Sequence, residues 1–234
     1  MVRRHVGAVG AVTLCALLLA RAESYAPTGT IDLLPALVPP AVCAPAEAVG
    51  LTSIPATSAV LLIDMQQHFL DRGRFETEES SGMSTRERAR LDRAYDTHLT
   101  ALVTAQQEVL TYANAHGLPV IVIEMGYAGD TLPQLAAIAK KNPYLVTYRK
   151  DMENAFLGTD LEHHLRSAGI TNLFMMGGYA RYCVRETARA ASSMGFCVST
   201  SEAVLTDYRD RWLDVHTRAG IMDWYRPLGT LVTF

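Results

Sequence analysis

Apolar residues along this 234-residue chain gather into short runs that end on polar or charged positions. The runs 58–63, 119–124, 145–148, 172–176, 196–199 and 230–233 have the length of strands, and several are continuously apolar, as expected of strands buried on both faces. Between the first two, Leu99, Leu102, Val103, Leu110 and Ala113 recur at helical spacing, and Gly117-Leu118-Pro119 stops that helix. Thr159-Asp160-Leu161-Glu162 has the form of a capping box opening a further helix, which Gly169 ends. Strands alternating with helices predict an α/β fold: a three-layer α-β-α sandwich on a mostly parallel, Rossmann-like sheet of about six strands, joined by right-handed crossovers.

The amino terminus breaks this pattern. Met1 to His5 is basic, Val6 to Leu19 is an apolar run, and Ala20-Arg21-Ala22 is a small-residue cleavage site. That is the pattern of a secretory signal peptide cleaved after Ala22, and the run is too short for a comfortable membrane span; the alternative is an uncleaved anchor. The expected mature chain works outside the cytoplasm, secreted or periplasmic, with no stable membrane insertion. Residues 23–57 are rich in Pro and Ala and read as an extended arm, leaving 58–234 as the folded domain. Arg72 to Arg93 is charged and reads as a solvent-facing loop and helix start placed to act as a lid. Cys43 and Cys197 are available to pair in an oxidising compartment, although Cys197 also suits a buried core position.

Composition narrows the partners. The 49% hydrophobic content supplies a sizeable core for one domain, and a net charge of −3 gives no electrostatic reason to expect nucleic acid or an anionic membrane. No Cys-x-x-Cys or His/Cys cluster suggests zinc, so neither a metal nor another cofactor is expected.

Three of the runs deliver chemistry. Val60 to Ile63 ends in Asp64, Leu145 to Arg149 delivers Lys150, and Asn172 to Met176 leads through a Gly177-Gly178 turn to Cys183 on the first turn of a helix. In open α/β sheets the carboxyl edge is where ligands bind. Unpaired N–H groups at a helix N-terminus favour thiolate over thiol. Taken singly, Asp64 suits a turn cap, Lys150 a solvated surface lysine and Cys183 a buried structural cysteine. Together they supply a base, a cation and a nucleophile.

These motifs resemble the isochorismatase-like cysteine hydrolase superfamily. The resemblance rests on Asp64-Met65-Gln66, on Lys150 six residues before the phenylalanine of Asn154-Ala155-Phe156, and on Gly177 to Cys183. It covers about residues 58 to 234. It implies an Asp64–Lys150–Cys183 triad acting on a small-molecule substrate. An oxyanion hole formed by the N–H groups of Tyr179 and Cys183, a cis Gly178–Tyr179 peptide, and a homo-dimer or tetramer are also implied. Asp64 is expected to take the thiol proton while Lys150 holds Asp64 ionised and stabilises the thiolate. The thiolate then attacks an amide, ureide or carbamoyl carbon, and water hydrolyses the resulting thioester.

Phe69, Glu124, Tyr127, Phe156, Gly178, Tyr179 and Arg181 are the candidate substrate-binding residues. Arg181 departs from the family pattern, as does Ala180, and a planar guanidinium there suits a substrate carboxylate; the alternative is a solvated arginine. His68 is either a pocket residue or a structural histidine. The Asp-x-His metal motif of nicotinamidases is missing after the second strand, where Ile123-Glu124-Met125-Gly126-Tyr127 stands. Two other functions stay open: a vinyl-ether hydrolase of the isochorismatase type in which Cys183 is a bystander, and a non-catalytic secreted binding protein.

Overall fold

The computed structural model describes Cys43 and residues 47–72 and 82–233. The expected signal peptide and most of the arm lie outside these residues. Among them run the strands β1 (Glu47–Val49), β2 (Ser58–Ile63), β3 (Val120–Met125), β4 (Val146–Lys150), β5 (Asn172–Gly178), β6 (Cys197–Thr200), β7 (Leu205–Thr206) and β8 (Gly229–Thr233). The α-helices are α1 (Gln67–Arg72), α2 (Thr85–His116), α3 (Pro133–Ala139), α4 (Leu161–Ser167), α5 (Cys183–Ser193), α6 (Arg209–Leu213) and α7 (Val215–Tyr225).

The strands form one eight-stranded sheet in the order β1-β8-β6-β5-β2-β3-β4, with β7 pairing off β5. Every strand pair in it is parallel. The expected sandwich is present, and the two strands beyond the six expected are short. One of them, β1, comes from the segment read as an arm and adds an edge strand against β8.

Alternation along the strands splits the core in two. Leu61, Ile63, Ile121, Ile123 and Met175 pack with α4, α5 and α7 on one face. Val60, Leu62, Val120, Val122 and Met176 pack with α2 and α3 on the other. A parallel sheet covered on both faces requires this double burial.

After β2 the chain builds outward through β3 and β4, then returns to place β5 on the other side of β2. The carboxyl ends of β2 and β5 therefore flank the topological switch, where a crevice opens. Gly177 lets these two ends close. Its φ is +137°, and a Cβ there would lie 2.0 Å from the Ile63 carbonyl oxygen.

One sequence expectation is corrected and one open alternative is resolved. The capping box sits at α2, where Ser84 and Glu87 cap each other's backbone N–H groups. At α4 the N-cap is Asp160 and makes no side-chain cap bond, while Thr159 donates to the Ala155 carbonyl and accepts from Leu161 N–H at 3.4 Å. Cys43 and Cys197 form a disulfide across 154 residues, and Cys197 is also buried, so the two expectations for it hold together.

Candidate functional site

Asp64, Lys150 and Cys183 meet at the carboxyl edge of the sheet. Asp64 follows β2 with φ 52°, a left-handed conformation that non-glycine residues seldom adopt. Its N–H donates to Ile123 O at 2.9 Å, which keeps it tied to β3. Lys150, the last residue of β4, reaches across β3 and donates from Nζ to Asp64 Oδ2 at 2.7 Å. Both side chains are fully buried. Nζ also donates to Met152 O at 3.2 Å. Asp64 Oδ1 is buried without a full hydrogen-bond partner. The Cys183 side chain interacts with both Asp64 and Lys150, and the Asp64 carboxylate also interacts with the Met125 backbone.

The helix N-terminus does not by itself set the state of the thiol. Cys183 opens α5, where its N–H has no intrahelical acceptor, yet it is a buried free thiol. Burial pushes its pKa up to about 12, and the Asp64 charge adds to the rise; Lys150 opposes it only in part. Burial also raises the Asp64 carboxyl above the ordinary carboxylate value, against the pull of Lys150. At rest the site therefore holds a thiol beside a carboxylate of enhanced basicity, an arrangement that transfers a proton during attack.

The turn carrying the thiol is held from below. The Gly178–Tyr179 peptide is cis. Ala180 N–H donates to Thr206 O at 2.8 Å, and Arg181 N–H donates to Asp207 Oδ2 at 2.9 Å. Tyr179 stacks on Tyr208 with ring centroids 4.6 Å apart, and its hydroxyl donates to Phe69 O at 2.5 Å. Gly178 leaves little room, since a Cβ would meet Thr206 Cγ2 at 3.2 Å.

The candidate binding residues divide. Tyr127 is exposed and touches buried Phe69 edge to face, with exposed His68 against both. Three others have different tasks. Glu124 is buried and accepts from both the N–H and the hydroxyl of Thr131, at 2.7 and 2.9 Å, so its carboxylate is occupied in holding a loop. Phe156 is core, stacked on Phe196. The Arg181 guanidinium turns to Asp207, with Nε 3.6 Å from Oδ1, and lines a cavity with Arg185 and Trp224.

Sequence reasoning missed Asp207, which anchors the turn, although it ends the short strand β7 much as Asp64 ends β2. It also gave Gln66 no role. Gln66 is fully buried, donating to the Met125 and Gly129 carbonyls and accepting from Met125 N–H. Among the described residues, no group of three or more His, Cys, Asp or Glu is arranged to hold a metal ion.

The isochorismatase domain model matches residues 58–207, and the chain belongs to the isochorismatase family of hydrolases. Three solved structures share its fold. A pyrazinamidase/nicotinamidase from Streptococcus mutans is 18% identical with a TM-score of 0.57, covering 75% of this chain and 99% of its own. The N-carbamoylsarcosine amidase of Thermoplasma acidophilum is 20% identical with a TM-score of 0.52, covering 75% and 95%. The YcaC gene product of Escherichia coli, an octameric hydrolase of unknown specificity, is 20% identical with a TM-score of 0.54, covering 77% and 76%. No curated protein sequence matches the chain.

Proposed function

We propose that this protein is a cysteine hydrolase that cleaves a C–N bond of a small amide, ureide or carbamoyl compound. The observation that carries this reading is the division of labour within one carboxylate. Asp64 Oδ2 is fixed by Lys150, while buried Oδ1 lacks a full partner beside the Cys183 thiol.

Cys183 Sγ attacks the carbonyl carbon as its proton passes to Asp64. Lys150 keeps the carboxylate ionised until then and holds it in place. The carbonyl oxygen becomes an oxyanion, received by the N–H groups of Tyr179 and Cys183. On collapse the C–N bond breaks and Asp64 returns the proton to the departing nitrogen, leaving a thioester on Cys183. Water then adds with Asp64 again as base, the C–S bond breaks, and the acid and the thiol are released. A raised Asp64 pKa makes that carboxylate a better proton acceptor near neutral pH.

The fold likeness to amidases supports the C–N assignment. The leader pattern and the Cys43–Cys197 disulfide support a location outside the cytoplasm, where disulfides persist. The octameric state of the YcaC product supports assembly into a homo-oligomer.

The test is intact-mass spectrometry during incubation with a panel of amides, ureides and carbamoyl compounds. A thioester adduct on Cys183, with turnover lost in Cys183→Ser, is expected. Turnover of isochorismate by Cys183→Ala, with no adduct, points to vinyl-ether hydrolysis instead. No turnover of any panel member and no thiol reactivity points to a binding protein.

A further inference from the structure

A groove of about 450 Å³ is lined by residues that follow Lys150 in the chain and by residues of the helix that Cys183 opens. One side is Met125 and the turn 151–154, which directly follows Lys150. The other is Glu186 and Arg189, on the helix that Cys183 opens. The groove therefore touches the elements that carry both Lys150 and the thiol.

Its lip is apolar. Tyr127, Met152 and Leu157 line it and are 65%, 58% and 53% exposed, and clustered exposed apolar side chains mark binding surfaces. Its charge is acidic. Asp151, Glu153 and Glu186 face a single guanidinium, Arg189, which is already bound to Glu186 with Nε at 3.1 Å. Three carboxylates against one guanidinium leave two net negative charges.

The cations nearest the cluster are engaged elsewhere, Arg185 lying over the Trp224 ring in the cavity that Arg181 lines. Lys150 is matched by Asp64, and the thiol is uncharged at rest. Arg181, the residue suited to bind a carboxylate, faces Asp207 instead. Arg149 is held by Asp130 at 2.7 Å and by Glu124 at 3.4 Å.

Building on the cysteine-hydrolase reading, we propose that the substrate is a neutral or cationic amide or ureide with an apolar body. Asp151 and Glu153 are the specificity-determining residues that turn away carboxylate-bearing compounds. The apolar body lies against Tyr127, Met152 and Leu157 while the scissile carbonyl points inward to Cys183.

The test uses three small thiol alkylators on the full mature chain at low ionic strength: iodoacetate, iodoacetamide and a trimethylammonium-bearing bromoacetamide. Rates at Cys183 are divided by those of each probe with 2-mercaptoethanol. The normalised rates are expected to rise from anion to neutral to cation, each step on the order of threefold, and to converge in about 1 M salt. Asp151→Asn/Glu153→Gln narrows the spread and raises the iodoacetate rate. Iodoacetate reacting as fast as iodoacetamide, or a spread unchanged by that variant, overturns the proposal and leaves the nucleophile standing. Failure of all three probes to reach Cys183 in the native protein removes the groove as the route to the thiol. The hydrolase reading is then judged separately by turnover.

Discussion

Gln66 and Met125 form a two-way hydrogen-bonded pair: the Gln66 amide accepts from Met125 N–H at 2.9 Å and donates to Met125 O at 3.0 Å. The side chain extends the β2–β3 ladder one step past the point where the backbone turns away. Gln66→Ala leaves the buried Met125 N–H without that partner. It is expected to cost about 2–4 kcal/mol in urea unfolding, from one unmet donor plus lost bonds. Gln66→Glu, which keeps an acceptor but no amide donor, should also destabilise.

The Asp64–Lys150 pair has no solvent exposure, so its halves are unequal to its whole. Lys150→Met leaves a buried carboxylate alone and is expected to destabilise by about 3–5 kcal/mol. Adding Asp64→Asn should recover part of that stability while turnover stays at least about 100-fold down. Denaturation midpoints of the two single variants and the double variant measure the coupling.

Thiol titration provides a separate check. With the Cys183 pKa pushed up to about 12, iodoacetamide labelling should keep rising beyond pH 9 rather than level off there. Asp64→Asn removes a charge that adds to this rise and leaves Lys150 beside the thiol, so labelling at neutral pH should speed up while turnover falls. A plateau below pH 8 would show that the resting group is a thiolate.

His98 sets an acid limit on stability. It is half-buried between Tyr95 and Trp212, with Nε2 3.1 Å from Thr206 Oγ1, and burial, with Arg218 adding, depresses its pKa to about 4. The native state then binds fewer protons than the unfolded chain between pH 6.5 and about 4. Stability is present above pH 6.5 and is lost as pH falls through that window, by at most about 3 kcal/mol. His98→Gln should show a shallower loss between pH 7 and 4.5 in urea midpoints.

At the switch between β2 and β5, Gly177→Ala introduces a methyl group 2.0 Å from Ile63 O at a φ of +137°. It is expected to cost about 3 kcal/mol or more and to impair turnover together with stability. Gly195→Ala, at a left-handed turn with open space around it, should cost less. Paired thermal melts separate the two.

Much of this site was legible because strands buried on both faces read as apolar runs, and those runs stop where the chemistry begins. β2 and β5 could therefore be placed with Asp64 and the turn to Cys183 at their ends, whereas β4, a half-exposed edge strand, was legible only as a short run ahead of Lys150. β1 and β7 were not legible: three and two residues give no periodicity, and their strand character comes from neighbours far along the chain. The roles of Gln66, Asp207 and Glu124 depend on partners brought close by the fold. The rise in the thiol's pKa also depends on the fold. Helix position and a lysine are visible in sequence, whereas the loss of water around Cys183 is not.

The register between β2 and β5 carries a last consequence. Six consecutive pairs, from Ser58 with Asn172 to Ile63 with Gly177, lock the two strands together immediately below Asp64 and the thiol turn. A slip of one residue would turn each inward side chain of β2 to the opposite face, which a sheet buried on both sides does not tolerate. The offset between acid and thiol is thus quantised: it changes only in two-residue jumps of about 6–7 Å, never by drift. Loops at the groove's lip can vary in length and character, altering what is admitted, while the separation of the reacting groups keeps a single value.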